Sequence, residues 1–568
     1  MGSELGVTPD SKPEAVYSPV AIWWAVWAGV WTVAVGCGLA YLFVRRDSPV
    51  LRVRGIYLSL AAIILLHLYW ASVQFGVMIG PIMPGDAQYW LMGTYLPIGI
   101  ALFHASNTRF LHVAKMQKKY AQPDHHRALS YADARRQTGL YARFRRLDFD
   151  TRTLIVVGIA IVVQLFLTVL MWLISRKWHR TWGIPGTETH GTPMEQLTQM
   201  GQGWEWWSTI VGQFFWAWIV APIVLWKARH IHDTQGWRVQ TIGCVIANLP
   251  ATPMWLIALY VPAFEVINPY WIPPQWICLS ILVMEIFAVF LPCWEVMRHQ
   301  SLRQETLDLI AQWEAKTKGT GNDAKSFSDV STMIDSMMSG WKSTDGSIAT
   351  KNTGRDSILT MGALEHVLER NPMPLQKFSA LNDFSGENIA FLTSVAEWKN
   401  SLPKSIRDGS APDNENTREL IHERYSRALH IYVEFISVRH AEFPVNISSQ
   451  DLRRLEHIFE ESARVVYGDE AKLEDPVTPF DKFTFDVPPS PTQTESSQRP
   501  IHLQPLESAA RYGGDVPVPE DFDAKVFDDA EDSIKYLVLT NTWPKFIKTR
   551  RISTESADTL KPDGGDMA

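Results

Sequence analysis

The chain has 568 residues and a net charge of −7, and 46% of its residues are hydrophobic. This acidic balance lacks the basic surface that nucleic-acid binding requires, so nucleic acid is not an expected partner. No metal-ligand pair such as C-x-x-C or H-E-x-x-H occurs, and the sequence predicts neither a bound metal nor a cofactor. The four cysteines all lie inside apolar runs, which predicts small buried side chains rather than disulfides: Cys37, Cys244, Cys278 and Cys293.

Seven apolar stretches occupy roughly the first 300 residues, and each is long enough for the helix of about 20 residues that crosses a bilayer. They lie near 19–44, 55–79, 87–112, 153–175, 206–227, 238–262 and 271–296. The first stretch is too long for the apolar part of a signal peptide, so we expect it to be the first span itself. Prolines predict kinks in the last two spans, at Pro250, Pro253 and Pro292.

Lysines and arginines in the loops predict the orientation of these spans. They cluster after the first, third, fifth and seventh spans, with ten of them between Lys115 and Arg152. The other loops are poor in cations, apart from three that follow the fourth span: Arg176, Lys177 and Arg180. The pattern therefore places residues 1–18 outside the cell and the chain after residue 297 in the cytosol. We expect the plasma membrane, with an internal membrane left open as the alternative.

Four polar side chains inside the predicted spans are candidates for a transmembrane polar site: Glu285, His104, Asn248 and His67. Glu285 is the strongest candidate for ligand binding or proton relay, because a carboxylate in an apolar helix must face the bundle interior or a wet cavity. The alternative is that these groups make interhelical hydrogen bonds that hold the bundle together. Seven spans are typical of receptors for a small molecule, but no Asp-Arg-Tyr triplet or Asn-Pro-x-x-Tyr motif accompanies them.

The residues after the last span form three predicted regions: a cytosolic linker at 298–358, a helical domain at 359–550 with a Pro- and Ser-rich insertion near 468–519, and a disordered tail at 551–568. The linker opens with an amphipathic pattern that either continues the seventh span or lies along the headgroups. In the helical domain, Ser385 is a predicted N-cap with Asn388 as its capping-box partner, and "SSQDLRRLEHIF" opens with a second serine cap. The predicted aromatic core is Phe378, Phe391, Trp398, Phe435, Phe527 and Phe546.

Three segments of this domain, in this order, resemble a regulator of G-protein signalling (RGS) domain: "LEHVLERNPMPLQKFSALNDFSGENIAFLTSVAEWK", "IYVEFISVRHAEFPVNIS" and "VFDDAEDSIKYLVLTNTWPKFIK". The resemblance covers about residues 360–550. It implies a nine-helix bundle that binds an activated Gα subunit and accelerates its GTP hydrolysis. Seven spans followed by such a domain resemble the receptor-like RGS proteins of fungi and plants, and the insertion is closer to the fungal type.

The expected fold is therefore all-α, a seven-transmembrane helix bundle followed by a cytosolic RGS-type bundle. The partners that the resemblance implies are a Gα subunit and the lipid bilayer. The chain would not be an enzyme itself but a GTPase-activating protein, since GTP and magnesium belong to Gα. Two alternatives stay open: a scaffold that binds Gα without accelerating hydrolysis, and a seven-helix transporter regulated by its tail.

The resemblance also implies a Gα-facing surface built from loops at one end of the bundle. Matched by position, its residues are Phe384, Ser385, Glu387 and Asn388 in a first part, Asn446 in a second, and Leu537, Asn541, Thr542 and Lys545 in a third. Asn446 corresponds to the Asn that touches the Gα glutamine which orients the attacking water. Asn541 stands where most members have Asp, and Lys545 where Arg is usual, so we expect altered Gα affinity or choice. Taken singly, the Glu387–Asn388 pair could merely open a helix, and Asn446 could be an ordinary loop residue.

Overall fold

The computed structural model describes residues 5–8, 11–121, 144, 149–179, 181–319, 359–401, 415–467 and 518–550. Across these residues the chain is all-helical, which confirms the predicted fold class at that level, and its extended pairing is limited to an isolated bridge between Ser175 and Ile184. The chain divides into two compact units, Met1–Val113 with Asp150–Met297 and Ala114–Phe149 with Arg298–Ala568. The predicted insertion, the predicted tail and most of the linker lie outside the described residues.

Seven long helices carry most of the described residues of the first unit. They are α1 (Pro19–Val44), α2 (Ile56–Gln74), α3 (Ala87–Gln117), α4 (Phe149–Ile174), α5 (Trp207–Phe214, π-turn Phe215–Val220, then Ala221–Ala228), α6 (Trp237–Asn248 and Ala251–Tyr260) and α7 (Pro274–Glu285, π-turn Ile286–Phe290, then Leu291–Gly319). Shorter helical turns lie between them, at Pro49–Arg54, Gly76–Ile79, Gly80–Ile82, Pro193–Met200, Trp204–Trp206 and Pro262–Val266.

Six helical segments are long and apolar enough to cross a membrane: Pro19–Val44, Ile56–Gln74, Thr151–Ile174, Pro193–Ala228, Trp237–Tyr260 and Pro274–Asp308. They coincide with six of the seven predicted spans and indicate an integral membrane protein. At the third predicted span, α3 is long enough at 31 residues, but polar side chains such as Asn107 and Arg109 make it less apolar than the six. The seven-span count therefore stays a prediction.

The surface of α4 gives physical support for a membrane environment. Its most apolar window has a mean hydropathy of 2.9, yet only 11% of that window is buried inside the protein. Side chains such as Ile159, Val162 and Phe166 are more than half exposed. An apolar face of this size is unfavourable in water and is stable when lipid covers it.

Proline chemistry explains the interruptions in the last two long helices. Because proline has no amide hydrogen, it cannot complete the helical hydrogen bond to the fourth residue before it. The α6 helix breaks at Leu249 and Pro250, as the sequence predicts. In α7 the wider π-turn Ile286–Phe290 contains Ala288, the residue whose carbonyl Pro292 leaves without its usual donor.

The described helices of the second unit begin with a 3₁₀ turn, Lys118–Ala121, that continues α3. They continue with α8 (Met361–Arg370), α9 (Met373–Phe378 with a π-turn Ser379–Asp383), α10 (Gly386–Asn400), α11 (Glu415–Ile431 with a π-turn Tyr432–Ile436), α12 (Ser449–Tyr467) and α13 (Asp528–Leu537 with a π-turn Val538–Thr542). Residues 543–550 are helical as well. All six predicted core aromatics are buried.

The two predicted helix caps have opposite outcomes. Ser448 caps α12 as expected, since its Oγ accepts a hydrogen bond from the Asp451 amide at 3.1 Å. Ser385 occupies the N-cap position of α10, but its side chain makes no capping bond, so the predicted capping box with Asn388 is wrong. The hydroxyl of Ser385 instead donates to the carboxylate of Asp383, which competes successfully for it because a buried carboxylate is the stronger acceptor.

Candidate functional site

A buried carboxylate joins the first and third parts of the predicted Gα-facing surface. Asp383 ends the π-turn of α9 and is 1% exposed. Its Oδ1 accepts a hydrogen bond from Lys545 Nζ at 2.8 Å, and its Oδ2 accepts from Thr542 Oγ1 at 2.8 Å and Ser385 Oγ at 3.0 Å. A carboxylate is tolerated in the interior only with partners of this kind. The network fixes the turn before α10 against the end of α13 and the helical residues that follow it.

The turn that carries the first part is tight and strained. Phe384 has φ 52° and ψ 39°, in the left-handed region, and it is the non-glycine residue with a positive φ in the described chain. Its ring is buried, so it supports the turn from inside. The Ser379 hydroxyl donates to the Ser385 carbonyl at 2.6 Å, and the Ser385 amide donates back to the Ser379 carbonyl at 3.0 Å. These bonds hold a conformation that costs about 1–3 kcal/mol.

The remaining predicted contact residues differ in exposure. Glu387, Leu537 and Asn541 are half-buried, whereas Asn446 is exposed on the loop between α11 and α12. Asn388 is 6% exposed, and its Oδ1 has no hydrogen-bond partner among the described residues. The structure thus connects the first and third parts directly and gives the second part an accessible side chain.

Asn541 and Lys545, for which the resemblance predicts altered Gα contacts, are bonded to each other. Lys545 Nζ donates to Asn541 Oδ1 at 2.7 Å as well as to Asp383. Asn541 Oδ1 is also hydrogen-bonded to His299 Nε2 at 2.7 Å. The ammonium of Lys545, whose side chain is 14% exposed, is therefore engaged within the unit.

A segment that the sequence pattern does not mark lies against the first and second parts. Gln117 bonds with both ends of its amide: Nε2 donates to Glu387 Oε2 at 2.8 Å, and Oε1 accepts from the Gly386 amide at 3.0 Å. Lys119 Nζ is paired with Glu442 Oε1 at 2.8 Å, four residues before Asn446. No periodicity or motif predicts these contacts, because each joins residues more than 260 positions apart.

Tyr120 fills the space between the loops that carry these two parts. Its ring is 3% exposed and packs near Phe435 and Phe443, with ring centres 6.4 and 6.0 Å away. The Tyr120 carbonyl accepts a hydrogen bond from Gln376 Nε2 at 2.7 Å. Burial raises the pKa of the Tyr120 phenol well above its ordinary value of 10.0, and three neighbouring carboxylates raise it further, those of Glu442, Glu387 and Glu434.

In the first unit, two of the four predicted polar residues form one hydrogen-bonded cluster. Glu285 is completely buried, and its Oε2 accepts a hydrogen bond from Trp31 Nε1 at 2.5 Å. Its Oε1 is hydrogen-bonded to His67 Nδ1 at 2.7 Å, and the other ring nitrogen of His67 lies 3.0 Å from Thr32 Oγ1. The cluster ties α1, α2 and α7 together, as the interhelical alternative proposes.

The other two, His104 and Asn248, line a small cavity. Gln213 and Thr252 line it too, and Thr252 Oγ1 donates to Gln213 Oε1 at 2.9 Å. Both ring nitrogens of His104, Nδ2 of Asn248 and Nε2 of Gln213 lack hydrogen-bond partners among the described residues. The cavity volume of about 20 Å³ has room for a water molecule that could serve them. The predicted polar site is therefore two sites.

Neither unit shows a group of three metal-ligating side chains within the described residues. Sequence reasoning also missed Asp383, which directly precedes the matched loop but reads as an ordinary surface acid. Comparison with models of known protein families, with curated proteins and with solved structures found no match to this chain. The functional interpretation therefore depends on its residues and their geometry.

Proposed function

We propose that the chain is a membrane-anchored regulator of heterotrimeric G-protein signalling, in which an RGS domain at residues 359–550 accelerates GTP hydrolysis by Gα. One observation carries the proposal: the Asp383 network bonds the first and third parts of the matched surface together, although they lie about 150 positions apart in the sequence. Preorganised polar groups of this kind suit a surface that must bind one conformation of its partner better than others.

The chemistry asked of such a surface is positioning. Phosphoryl transfer in Gα already has its arginine in cis and its magnesium, so a regulator adds rate by holding the switch loops in their transition-state shape. Asn446 is suited to contact the glutamine that orients the attacking water, because a carboxamide both donates and accepts hydrogen bonds. Its exposure leaves the side chain accessible to a partner.

The apolar helices complete the proposal. Six membrane-compatible helices, with α3 proposed as the seventh, anchor the domain at the bilayer with residues 1–18 outside and the RGS domain in the cytosol. Anchoring beside lipid-bound Gα raises the effective concentration of the domain for its partner. In this proposal a ligand sensed by the seven-helix domain controls the rate at which signalling ends.

Single-turnover GTP hydrolysis tests the proposal with the full chain in lipid nanodiscs and a purified Gα. We expect the wild type to accelerate hydrolysis and Asn446→Ala to lose at least about tenfold of that acceleration, the loss expected for a positioning contact. Ser449→Ala is the matched control, an exposed residue three positions further on, and it should behave as wild type. No acceleration by the wild type contradicts the proposal.

The engagement of Lys545 favours a second candidate, a Gα-binding scaffold without acceleration. Its ammonium is bonded to Asp383 and Asn541, so fewer charges face a partner. A scaffold would bind Gα loaded with GDP and aluminium fluoride yet leave the hydrolysis rate unchanged. The same nanodisc preparation distinguishes the two by measuring binding and rate side by side.

A further inference from the structure

Two segments that lie outside residues 359–550 contact residues expected to bind Gα. Gln117 is hydrogen-bonded to Glu387 and to the Gly386 amide, and His299 is hydrogen-bonded to Asn541. All of these residues belong to the second unit. A third contact, between Lys119 and Glu442, reaches the loop that carries Asn446.

We propose that the segment Gln117–Ala121 is an intramolecular ligand of the Gα-docking surface, which Gα must displace, and that it thereby restrains GTPase acceleration. The inference rests on the proposed function and adds its regulation. The occupant is a segment of the chain itself, and its polar contacts with Glu387, Gly386 and Glu442 fall on the matched surface or directly beside it.

The chemistry of Gln117 imitates that of a protein partner. The first amides of a helix have no intrahelical acceptor, and the Gly386 amide at the start of α10 receives one from Gln117 Oε1. The amide nitrogen of the same side chain satisfies the Glu387 carboxylate. A backbone amide or hydroxyl of a Gα switch loop would need the same carboxylate, so the two occupants compete for it.

The absence of a side chain at residue 386 provides room for Tyr120. A Cβ built on Gly386 would lie 2.8 Å from the Cβ of Tyr120 and 2.8 Å from that of Ala380, closer than such atoms approach. Tyr120 therefore covers the start of α10 at backbone distance. With its ring buried against the loop before Asn446, it keeps the segment seated between the first and second parts of the surface.

The burial of Tyr120 favours the seated segment, whereas its polar contacts are ones that a partner can break. The segment contributes a single 3₁₀ turn, and the side chain of Lys119 is 42% exposed in its ion pair, which limits the value of that pair. Because Glu387 is only half-buried, the loss of the Gln117 hydrogen bond should change the open population about three- to tenfold, the value of an ordinary hydrogen bond. Gln117 is also the last residue of α3, so the segment is covalently continuous with a helix of the first unit.

Gln117→Leu in the full chain tests the inference, since leucine keeps the approximate volume and removes both hydrogen bonds. In nanodiscs at limiting Gα, we expect acceleration to rise about three- to tenfold through a lower KM for Gα, with kcat unchanged. Lys115→Ala is the control, because Lys115 is an exposed residue of α3 that lies outside the segment. Acceleration equal to or below that of the wild type overturns the inference.

A second measurement needs no substitution. A carbodiimide should join Lys119 to Glu442 in the wild type, since their charged atoms are 2.8 Å apart, and mass spectrometry identifies the product. Gα with GDP and aluminium fluoride should suppress this cross-link, whereas the GDP form should not. A cross-link that persists when Gα is bound overturns displacement. If instead no form of the chain accelerates hydrolysis, the proposed function itself has failed.

Discussion

At the scale of single residues, Asp383 has the clearest measurable role. It is a buried anion whose partners include one cation and two hydroxyls, and two of these, Lys545 and Thr542, lie more than 150 positions away in the sequence. Asp383→Asn removes the charge and leaves the largely buried ammonium of Lys545 without its counter-ion. We expect a loss of about 3–5 kcal/mol in unfolding free energy, seen as a lower melting temperature of the purified chain.

Lys545, the counter-ion of Asp383, provides the control for this prediction. Lys545→Gln in the Asp383→Asn background removes the unpaired charge, and the double variant should be more stable than Asp383→Asn alone. Equal melting temperatures for the wild type and Asp383→Asn would show that the pair contributes nothing to the fold.

In the first unit, Glu285 is a second buried carboxylate whose contribution to stability can be measured. Glu285→Gln keeps an oxygen acceptor for Trp31 or His67, whereas Glu285→Leu leaves Trp31 Nε1 and His67 Nδ1 without the acceptor they share. Each orphaned group costs about 1–3 kcal/mol, so we expect the leucine variant to melt at a clearly lower temperature than the glutamine variant. Met284→Leu, a volume-conserving change beside it, is the control. If the leucine variant were as stable as wild type, the cluster would not hold these helices together.

At the scale of elements, α10 and α13 are joined by a cluster of charges. Lys399 Nζ lies 2.5 Å from Asp528 Oδ1 and 2.5 Å from Glu531 Oε2, and Lys535 Nζ lies 2.9 Å from Glu531 Oε1. Burial opposes ionisation of Glu531, but the hydrogen bonds and charges of the two lysines outweigh it and lower its pKa below the ordinary 4.5. The pKa values of both lysines are raised above 10.5 despite their burial.

These shifts predict how stability depends on pH. A carboxyl whose pKa is lowered by folding contributes its full stability above its ordinary pKa and loses it as pH falls through the folded pKa. A lysine whose pKa is raised loses its contribution only above about pH 10.5. We therefore expect the cluster to stabilise the fold evenly near neutral pH and to fail in acid.

Glu531→Gln provides the comparison. Its melting temperature should lie below that of the wild type at about pH 7, and the difference should shrink as the pH falls to about 4 and below. Melting curves of both proteins across this range measure it. A difference that stays constant with pH would mean that Glu531 acts through packing and not through its charge.

Some features of the fold could be predicted from the sequence and others could not. The long helices, the six buried aromatics and the Ser448 cap depend on local spacing, so they could be predicted. The hydrogen bond of Ser385 to Asp383, which replaces the expected capping box, could not be predicted, since it depends on where Asp383 lies after folding. For α7 the sequence predicts a kink at Pro292 but not that it takes the form of a π-turn. The contacts of Gln117 had no local signal at all.

At the scale of the whole molecule, the sequence and the structure give different numbers of membrane spans. Composition predicts seven spans, and six helices meet the length and apolarity of a span. The difference concerns α3, whose polar residues are spread along it: His104 lines the cavity, while Asn107 and Arg109 are buried. A helix that hides its polar side chains from lipid can cross a bilayer despite a lower mean hydropathy.

Engineered glycosylation sites test whether α3 crosses the membrane. Two sites that are separated by an even number of spans lie on the same side of the membrane. Gly6→Asn and His190→Asn each create an N-x-T sequence, and Asn tolerates the left-handed backbone at residue 6 (φ 71°) better than most residues do. If α3 crosses, four spans separate the two sites, and we expect each variant to gain one glycan and the double variant two in microsomes. The natural sequon at Asn446 should stay unmodified, since it would lie in the cytosol. Modification of only one of the engineered sites means that three spans separate them and that α3 does not cross.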